Sequence, residues 1–354
     1  MLKLLFLSTP VGPLGSGMGG GVELSLLNIA QGMKRRGHQV SVVAPKTSKL
    51  PDISVVEIAG NKQIMAQTYE RNTPIALPEN SVLANMWDYA RTVQNKYDLI
   101  VNFAFDWLPF YLTPFFNTSI AHFISMGSTT DALDEVMNQV ARKFPKTIGV
   151  YTQSQADTFP FTEACRLLGS GLDLSLYQYC EQPTKSLAWV GRISPEKALE
   201  DAVEAAEITG IPLKIFGKIQ DEEYWQEIHQ NYPQAPFEYQ GFFNTSDLQE
   251  KLGKCQALLM TSRWVEAFGN VAIEALACGV PVIAYSRGGP AEIVRDQKTG
   301  FLVKPDSISA LVQAIQKIDK IDRKQCRQQA ESEYSLQALG DRFEQWFTEL
   351  INSP

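Results

Sequence analysis

The chain has 354 residues, 44% of them hydrophobic, with 24 Gly and 19 Pro. At about 150 residues per domain this predicts two domains, and the composition excludes disordered, collagen-like and coiled-coil classes. The net charge of -7, from 32 basic and 39 acidic residues, gives a surface that repels nucleic-acid phosphates, so no nucleic-acid partner is expected.

The five cysteines are Cys165, Cys180, Cys255, Cys278 and Cys326. Their odd number, wide spacing and lack of a C-x-x-C pair fit neither a disulfide framework nor a zinc knuckle. They point to a reducing, cytoplasmic setting. The apolar start Met1–Ser8 is too short for a signal peptide, and Pro10 and a glycine-rich loop stand where a cleavage site belongs. No stretch reaches the ~18 apolar residues that span a bilayer, so no stable membrane insertion is expected. The basic run Lys34-Arg35-Arg36 reads as helix-end cations favoured by the dipole.

In chain order, Leu2–Ser8 reads as a strand. Val22–Arg36 follows as a helix with Val22, Leu26, Ile29, Ala30 and Met33 on one stripe, closed by Gly37. Gln39–Ala44, Asp98–Phe103, Ser119–Ile124 and Lys146–Gln153 read as further strands, apolar on both faces as in a parallel sheet between helix layers. The pattern restarts at strand Ser186–Ile193. Ser194 and Pro195 then open a helix that turns Leu199, Ala202, Val203 and Ala206 inward and stops at Gly210. Strands are predicted at Pro212–Phe216, Phe237–Tyr239, Ala257–Met260 and Pro281–Tyr285. The apolar positions of Leu336–Ile351 make it an amphipathic helix that must dock, and docking on the first domain is expected. The fold class is α/β, two doubly wound Rossmann-like domains with a cleft expected at their strand ends. The expected boundaries are 1–182, 183–335 and 336–354, the last segment being the returning helix.

Gly15-Ser16-Gly17-Met18-Gly19-Gly20 matches G-x-G-x-x-G, which ordinarily indicates NAD or FAD. The motif starts several residues after the strand, however, and the second strand ends in Ala44-Pro45-Lys46 with no acid for a ribose. Gly19, Gly20 and Gly21 instead offer backbone N–H groups and a helix N-terminus to an anion or to a transferred group.

The stretch Ser262–Ala284 carries the densest chemistry. Glu266 precedes a helix and Glu274 lies inside it, eight positions later. Two acids among small apolar residues are costly to bury unless they bind something, and carboxylates accept hydrogen bonds from sugar and ribose hydroxyls. The helix start around Phe268-Gly269-Asn270-Val271 offers N–H groups to phosphate. Gly191, Arg192 and Lys197 lie in the first loop of the same domain, where two cations would oppose a diphosphate.

These residues resemble the family 4, GT-B-fold retaining glycosyltransferases. The resemblance rests on Gly19-Gly20-Gly21-Val22-Glu23, Arg36-Gly37-His38-Gln39-Val40, Gly191-Arg192, Glu196-Lys197, the Glu266–Glu274 pair, Gly288-Gly289-Pro290-Ala291-Glu292 and Thr299–Val303. The chain departs from that pattern at Lys218 and Ala198, where glycine is usual. The resemblance implies that Glu274 holds the ribose, Glu266 contacts the donor sugar, Arg192 and Lys197 clamp the diphosphate, and His122 lies near the sugar. His38 reads as structural.

No D-x-D triplet occurs, so cations and a helix dipole would replace a metal on the leaving diphosphate, and no cofactor or metal is expected beside a UDP-sugar co-substrate. The resemblance implies retention of configuration. The acceptor site is expected in the first domain at Glu23, Asp106 and Trp107, within the aromatic run Asn102–Tyr111, since aromatic planes stack on flat rings. The opening Ser8–Gly17 is similar to cyanobacterial UDP-glucose:tetrahydrobiopterin glucosyltransferases, which implies a hexose passed to a pteridine. A sugar or lipid acceptor, a GT-B nucleotide-sugar epimerase, a nucleotide-linked dehydrogenase and a non-catalytic sugar binder stand as alternatives. Oligomeric state is not legible.

Overall fold

The structure, a computed structural model, describes residues 1–16, 20–64 and 70–352. Its elements in the first half are β1 (Lys3–Leu7), α1 (Gly21–Arg35), β2 (Gln39–Pro45), β3 (Ser54–Ile58), α2 (Val82–Val93), β4 (Leu99–Asn102), α3 (Trp107–Leu112), β5 (Ile120–Phe123), α4 (Asp131–Lys143), β6 (Ile148–Val150), α5 (Gln153–Ala156) and β7 (Cys165–Leu167). The second half holds β8 (Leu187–Val190), α6 (Leu199–Thr209), β9 (Leu213–Phe216), α7 (Glu222–Asn231), β10 (Phe237–Gly241), α8 (Thr245–Gly253), β11 (Ala257–Met260), α9 (Asn270–Ala277), β12 (Val282–Tyr285), α10 (Gly289–Ile293), β13 (Gly300–Val303), α11 (Ile308–Ile315), α12 (Arg323–Glu333) and α13 (Leu336–Ile351).

Two compact units result: Met1–Gly171 with Leu336–Pro354, and Leu172–Ser335. Each is a doubly wound parallel sheet, of seven strands in the order β3-β2-β1-β4-β5-β6-β7 in unit 1 and six in the order β10-β9-β8-β11-β12-β13 in unit 2. The apolar runs explain the layering. Leu4–Leu7, Leu99–Asn102 and Ile120–Phe123 are buried along their whole length, as strands covered on both faces must be. The register sets Leu4 beside Val40 and Leu99.

The units divide at 171/172 rather than at 182/183. The segment after Gly171 belongs to unit 2 through specific bonds. The Leu172 N–H donates to the Tyr334 carbonyl at 2.7 Å and the Cys180 N–H to the Cys278 carbonyl at 3.1 Å. The polar stretch 181–185 marks a loop inside unit 2.

The last helix, α13, is part of unit 1 and packs on α1. Phe343, Trp346 and Phe347 are fully buried, and the Trp346 indole donates to the Lys146 carbonyl at 2.7 Å. Arg36, read from sequence as a dipole partner, pairs with Asp341 and with Glu344 of this helix. His38 Nε2 lies 2.8 Å from Glu344 Oε1, a structural place.

The expected α-helix at Pro195 differs in form. Pro195–Lys197 is a 3-10 turn, Ala198 takes a left-handed backbone (φ 47), and the α-helix begins at Leu199. The family usually has glycine at residue 198, and this φ is the reason it suits the position. Elements absent from the sequence reading include the edge strand β3 and the helices α2 and α4.

Candidate active site

In a parallel sheet all carboxyl ends lie at one edge, and ligands bind there. In unit 2 the neighbours β9, β8 and β11 bring three loops together: Gly217-Lys218 after β9, Gly191-Arg192 after β8, and Thr261–Gly269 after β11. The first two loops touch through glycine. A Cβ on Gly217 (φ 146) would fall 1.7 Å from the Gly191 carbonyl oxygen, so no other residue fits.

Lys197 and Glu266, 69 positions apart, meet in this cluster. The Lys197 ammonium donates to Glu266 Oε1. The same oxygen accepts from Ser262 Oγ at 2.7 Å and from the Trp264 indole N–H at 3.4 Å. Glu266 is buried. Burial pushes its carboxyl up, but the Lys197 charge and these donors outweigh burial and hold it below the usual range. A buried ion pair is weak evidence for stability, because desolvation offsets the attraction. Its position at the strand ends therefore argues for chemistry.

Trp264 is a site residue that the sequence reading missed. Lys197 Nζ lies 5.1 Å and Arg192 Cζ 5.9 Å from its ring centroid, both within cation–π range. Arg192 also bonds Gln220 and pairs with Glu196 at 3.2 Å. An aromatic between Arg263 and Glu266 was the available signal, but the cations that use it are more than 60 residues away in sequence.

Behind the ion pair runs α9. Its N-cap Gly269 is left-handed (φ 98) and no side chain caps the helix, so its first N–H groups favour an anion. Phe268 is buried against Tyr334, with 6.1 Å between centroids. The Asn270 side-chain oxygen is buried without a hydrogen-bond partner. Val271 follows in the first turn. Glu274, buried inside the helix, accepts from the Tyr177 hydroxyl at 3.2 Å. Burial raises its carboxyl to about 7, against the lowering effect of that bond. Tyr177, 97 residues away, had no sequence signal.

The unit 1 candidates fare differently. His122 is fully buried in β5. Its Nδ1 lies 3.2 Å from Asn102 Nδ2 and its Nε2 2.9 Å from Thr113 Oγ1, and its ring stacks on Phe110 at 4.4 Å. Burial lowers its pKa to about 3, so the imidazole is neutral. The structure thus places His122 in the core of unit 1 with both ring nitrogens occupied. Gly19 lies outside the described residues. Gly20 is the N-cap of α1 (φ 60) and Gly21 its first residue. Glu23 Oε2 accepts from the Gly15 N–H at 3.1 Å, which ties Gly15 to α1.

Asp106 caps α3, accepting from the Leu108 N–H at 3.3 Å, and its other oxygen accepts from Gln63 Nε2 at 2.6 Å. Burial raises its carboxyl, with these bonds opposing. Trp107 stacks on Tyr111 (4.5 Å, 17°). Phe105, Asp106 and Trp107 line one pocket with Ile75, Thr130 and Leu133. Two buried polar atoms were not anticipated: Gln63 Oε1, on the residue that bonds Asp106, and Thr9 Oγ1 have no hydrogen-bond partners. The Gln63 N–H donates to the carbonyl of Pro10, next to Thr9, at 3.2 Å.

Among the described residues no group of three or more His, Cys, Asp or Glu is placed to hold a metal ion, and no helix is long and apolar enough to cross a membrane. Family comparison matches residues 19–123 to Glycosyltransferase Family 4 and residues 181–333 to Glycosyl transferases group 1. An alpha-1,3/1,6-mannosyltransferase of Rhizomucor pusillus is 35% identical over 117 residues, 31% of this chain and 25% of that protein. A D-inositol 3-phosphate glycosyltransferase of Mycobacteroides abscessus is 34% identical over 126 residues, 33% and 28% of the two chains. The chain thus matches about a quarter of these relatives' length. Among solved structures, Anabaena HepE in complex with UDP and glucose superposes with a TM-score of 0.76 at 19% identity, covering 99% of this chain and 100% of the other. Sucrose-phosphate synthase of Thermosynechococcus elongatus gives 0.79 at 19% identity, covering 99% of each. With two parallel Rossmann-like sheets and these structural neighbours, the chain is of the GT-B fold, and its two halves match the family 4 and group 1 glycosyltransferase domains.

Proposed function

We propose that the protein transfers a hexose, glucose, from UDP-glucose to a small flat acceptor of the pteridine class, with retention and without a metal. The observation that carries the donor half is the pairing of Glu266 with Lys197 beside the uncapped start of α9, with Glu274 buried further along the same helix. In this reading the diphosphate lies at the α9 N-terminus near Arg192 and Lys197, and the ribose hydroxyls donate to Glu274. Glu266, held ionised by Lys197, accepts from the hexose hydroxyls. The acceptor oxygen bonds to the anomeric carbon as the bond to the diphosphate breaks, on the same face. The acceptor proton passes to the leaving phosphate oxygen, and UDP departs as its charge is met by cations and helix dipole.

The acceptor half is supported by unit 1. Asp106 is a hydrogen-bond acceptor beside the aromatic wall of Phe105 and Trp107, and Gln63, bonded to it, keeps an oxygen without a partner. A flat ring with N–H donors along one edge, which pteridines have, satisfies both. UDP-glucose is incubated with and without tetrahydrobiopterin, and UDP and new glycosides are measured. Pteridine-dependent UDP release, an α-glucoside and insensitivity to EDTA are expected. UDP release that requires a sugar or lipid acceptor overturns the pteridine assignment. Interconversion of UDP-sugars without acceptor overturns transfer itself.

A further inference from the structure

Four of the five cysteines gather at one end of α9 and α12, away from the ion pair. The Cys180 N–H donates to the Cys278 carbonyl at 3.1 Å. Adding the covalent bonds on either side places the two Cα atoms within about 7 Å, and disulfides span about 4.4–6.8 Å between Cα atoms. Both Cβ atoms face the bare backbone of Gly253: a side chain there would start 3.5 Å from Cys278 Cβ and 3.6 Å from Cys180 Cβ. The two backbones are pinned. Arg323 donates to the carbonyls of Cys180 (2.7 Å), Gly253 (2.7 Å) and Cys255 (3.0 Å). Arg327 donates to those of Tyr177 (2.8 Å) and Ala277 (2.6 Å). Cys278 is buried and Cys180 half-buried, so one thiol is open to a reagent and the other stands behind it.

We propose that Cys180 and Cys278 are a thiol-oxidation site that closes to an intramolecular disulfide on exposure to a low-molecular-weight disulfide. The Cys180 thiolate attacks one sulfur of the small disulfide, forming a mixed disulfide and releasing one small thiol. Cys278 then loses its proton and attacks the Cys180 sulfur, releasing the second small thiol. The protein gives up two electrons and two protons, and the small disulfide is reduced to two thiols. Burial, with the nearby Glu274 charge, pushes the Cys278 thiol up to about 12, so the second step is the slow one.

The bond reaches the nucleotide-binding helix. The Cys278 N–H donates to the Glu274 carbonyl at 3.2 Å, and Tyr177, three residues before Cys180, donates to the Glu274 carboxylate. Linking 180 to 278 fastens the Tyr177 segment to α9 and keeps that hydroxyl on the carboxylate. Resting on the reading that Glu274 takes the ribose, the oxidised form binds UDP about tenfold more weakly. The test treats the full chain with oxidised glutathione, maps disulfides by peptide mass spectrometry and measures UDP affinity before treatment, after treatment and after dithiothreitol. A 180–278 link, weaker binding and recovery on reduction are expected, with Cys180→Ser and Cys278→Ala unresponsive. Glutathione left on Cys180 without the link, or the link without a change in affinity, overturns the proposal. If the reduced protein fails to bind UDP, the nucleotide reading fails, and the peptide map still judges the pair.

Discussion

Glu274 sits in a helix whose other inward residues are Ala272, Ile273, Ala275, Leu276 and Ala277. Its carboxyl, at about 7 against an ordinary 4.5, keeps a proton in the folded chain that the unfolded chain has lost. Unfolding then releases a proton between these values, so stability contributed here is present below pH 4.5 and is lost as pH rises to 7. The shift corresponds to about 3 kcal/mol. Denaturant titrations of Glu274→Gln from pH 4 to 8 are expected to show the variant gaining about that much on the wild type with rising pH; parallel curves would contradict the burial argument. At Lys197, replacement by alanine strips Glu266 of its counter-charge and, on the proposed reading, removes a cation from the diphosphate. Turnover is expected to fall about a hundredfold, measured as UDP release; an unchanged rate would remove Lys197 from the chemistry. The burial of these two carboxylates was legible from their small apolar neighbours. The contact of Lys197 with Glu266 was not, since the two are joined only by folding. The burial of His122 was not legible, because a histidine at the end of an apolar strand looks the same in sequence whether it faces a ligand or the core.

At the level of elements, apolar runs revealed strands that are covered on both faces, such as β1, β4 and β11. Strand β3 escaped because Ser54–Ile58 is an edge strand with a half-exposed pattern, and a short alternating run carries little signal. Helices α2 and α4 are amphipathic and capped by Ser81 and Thr130, cues that were present but unread. The site depends on how closely the β8 and β9 loops approach. Gly217→Ala would drive a Cβ into the Gly191 carbonyl and is expected to cost about 3 kcal/mol through overpacking and backbone strain. A urea midpoint equal to that of the wild type would show that the loops yield, and the site with them.

The whole molecule is two parallel-sheet units whose chain ends in a helix built into the first. The buried face of α13 carries three aromatics: Phe343 packs on Phe123 at 5.1 Å, Phe347 on Phe6 at 6.3 Å, and Trp346 donates to the Lys146 carbonyl. Trp346→Ala removes a fully buried indole and its bond to Lys146 and is expected to destabilise by about 3–5 kcal/mol. Calorimetry should show a lowered transition for unit 1, with UDP binding in unit 2 retained below it; loss of UDP binding at temperatures where the variant is folded would contradict the assignment of the nucleotide to unit 2 alone. The two-unit plan was legible from the restart of strand–helix alternation. The division at 171/172 was not, because the residues that tie 172–180 to unit 2 are backbone hydrogen bonds with no sequence signature.

The most direct measurement is a crystal structure of the protein soaked with UDP. The account predicts the ribose on Glu274 and the diphosphate at the first turn of α9 beside Arg192 and Lys197. Nucleotide bound at any other place, or absent at saturating concentration, would contradict it.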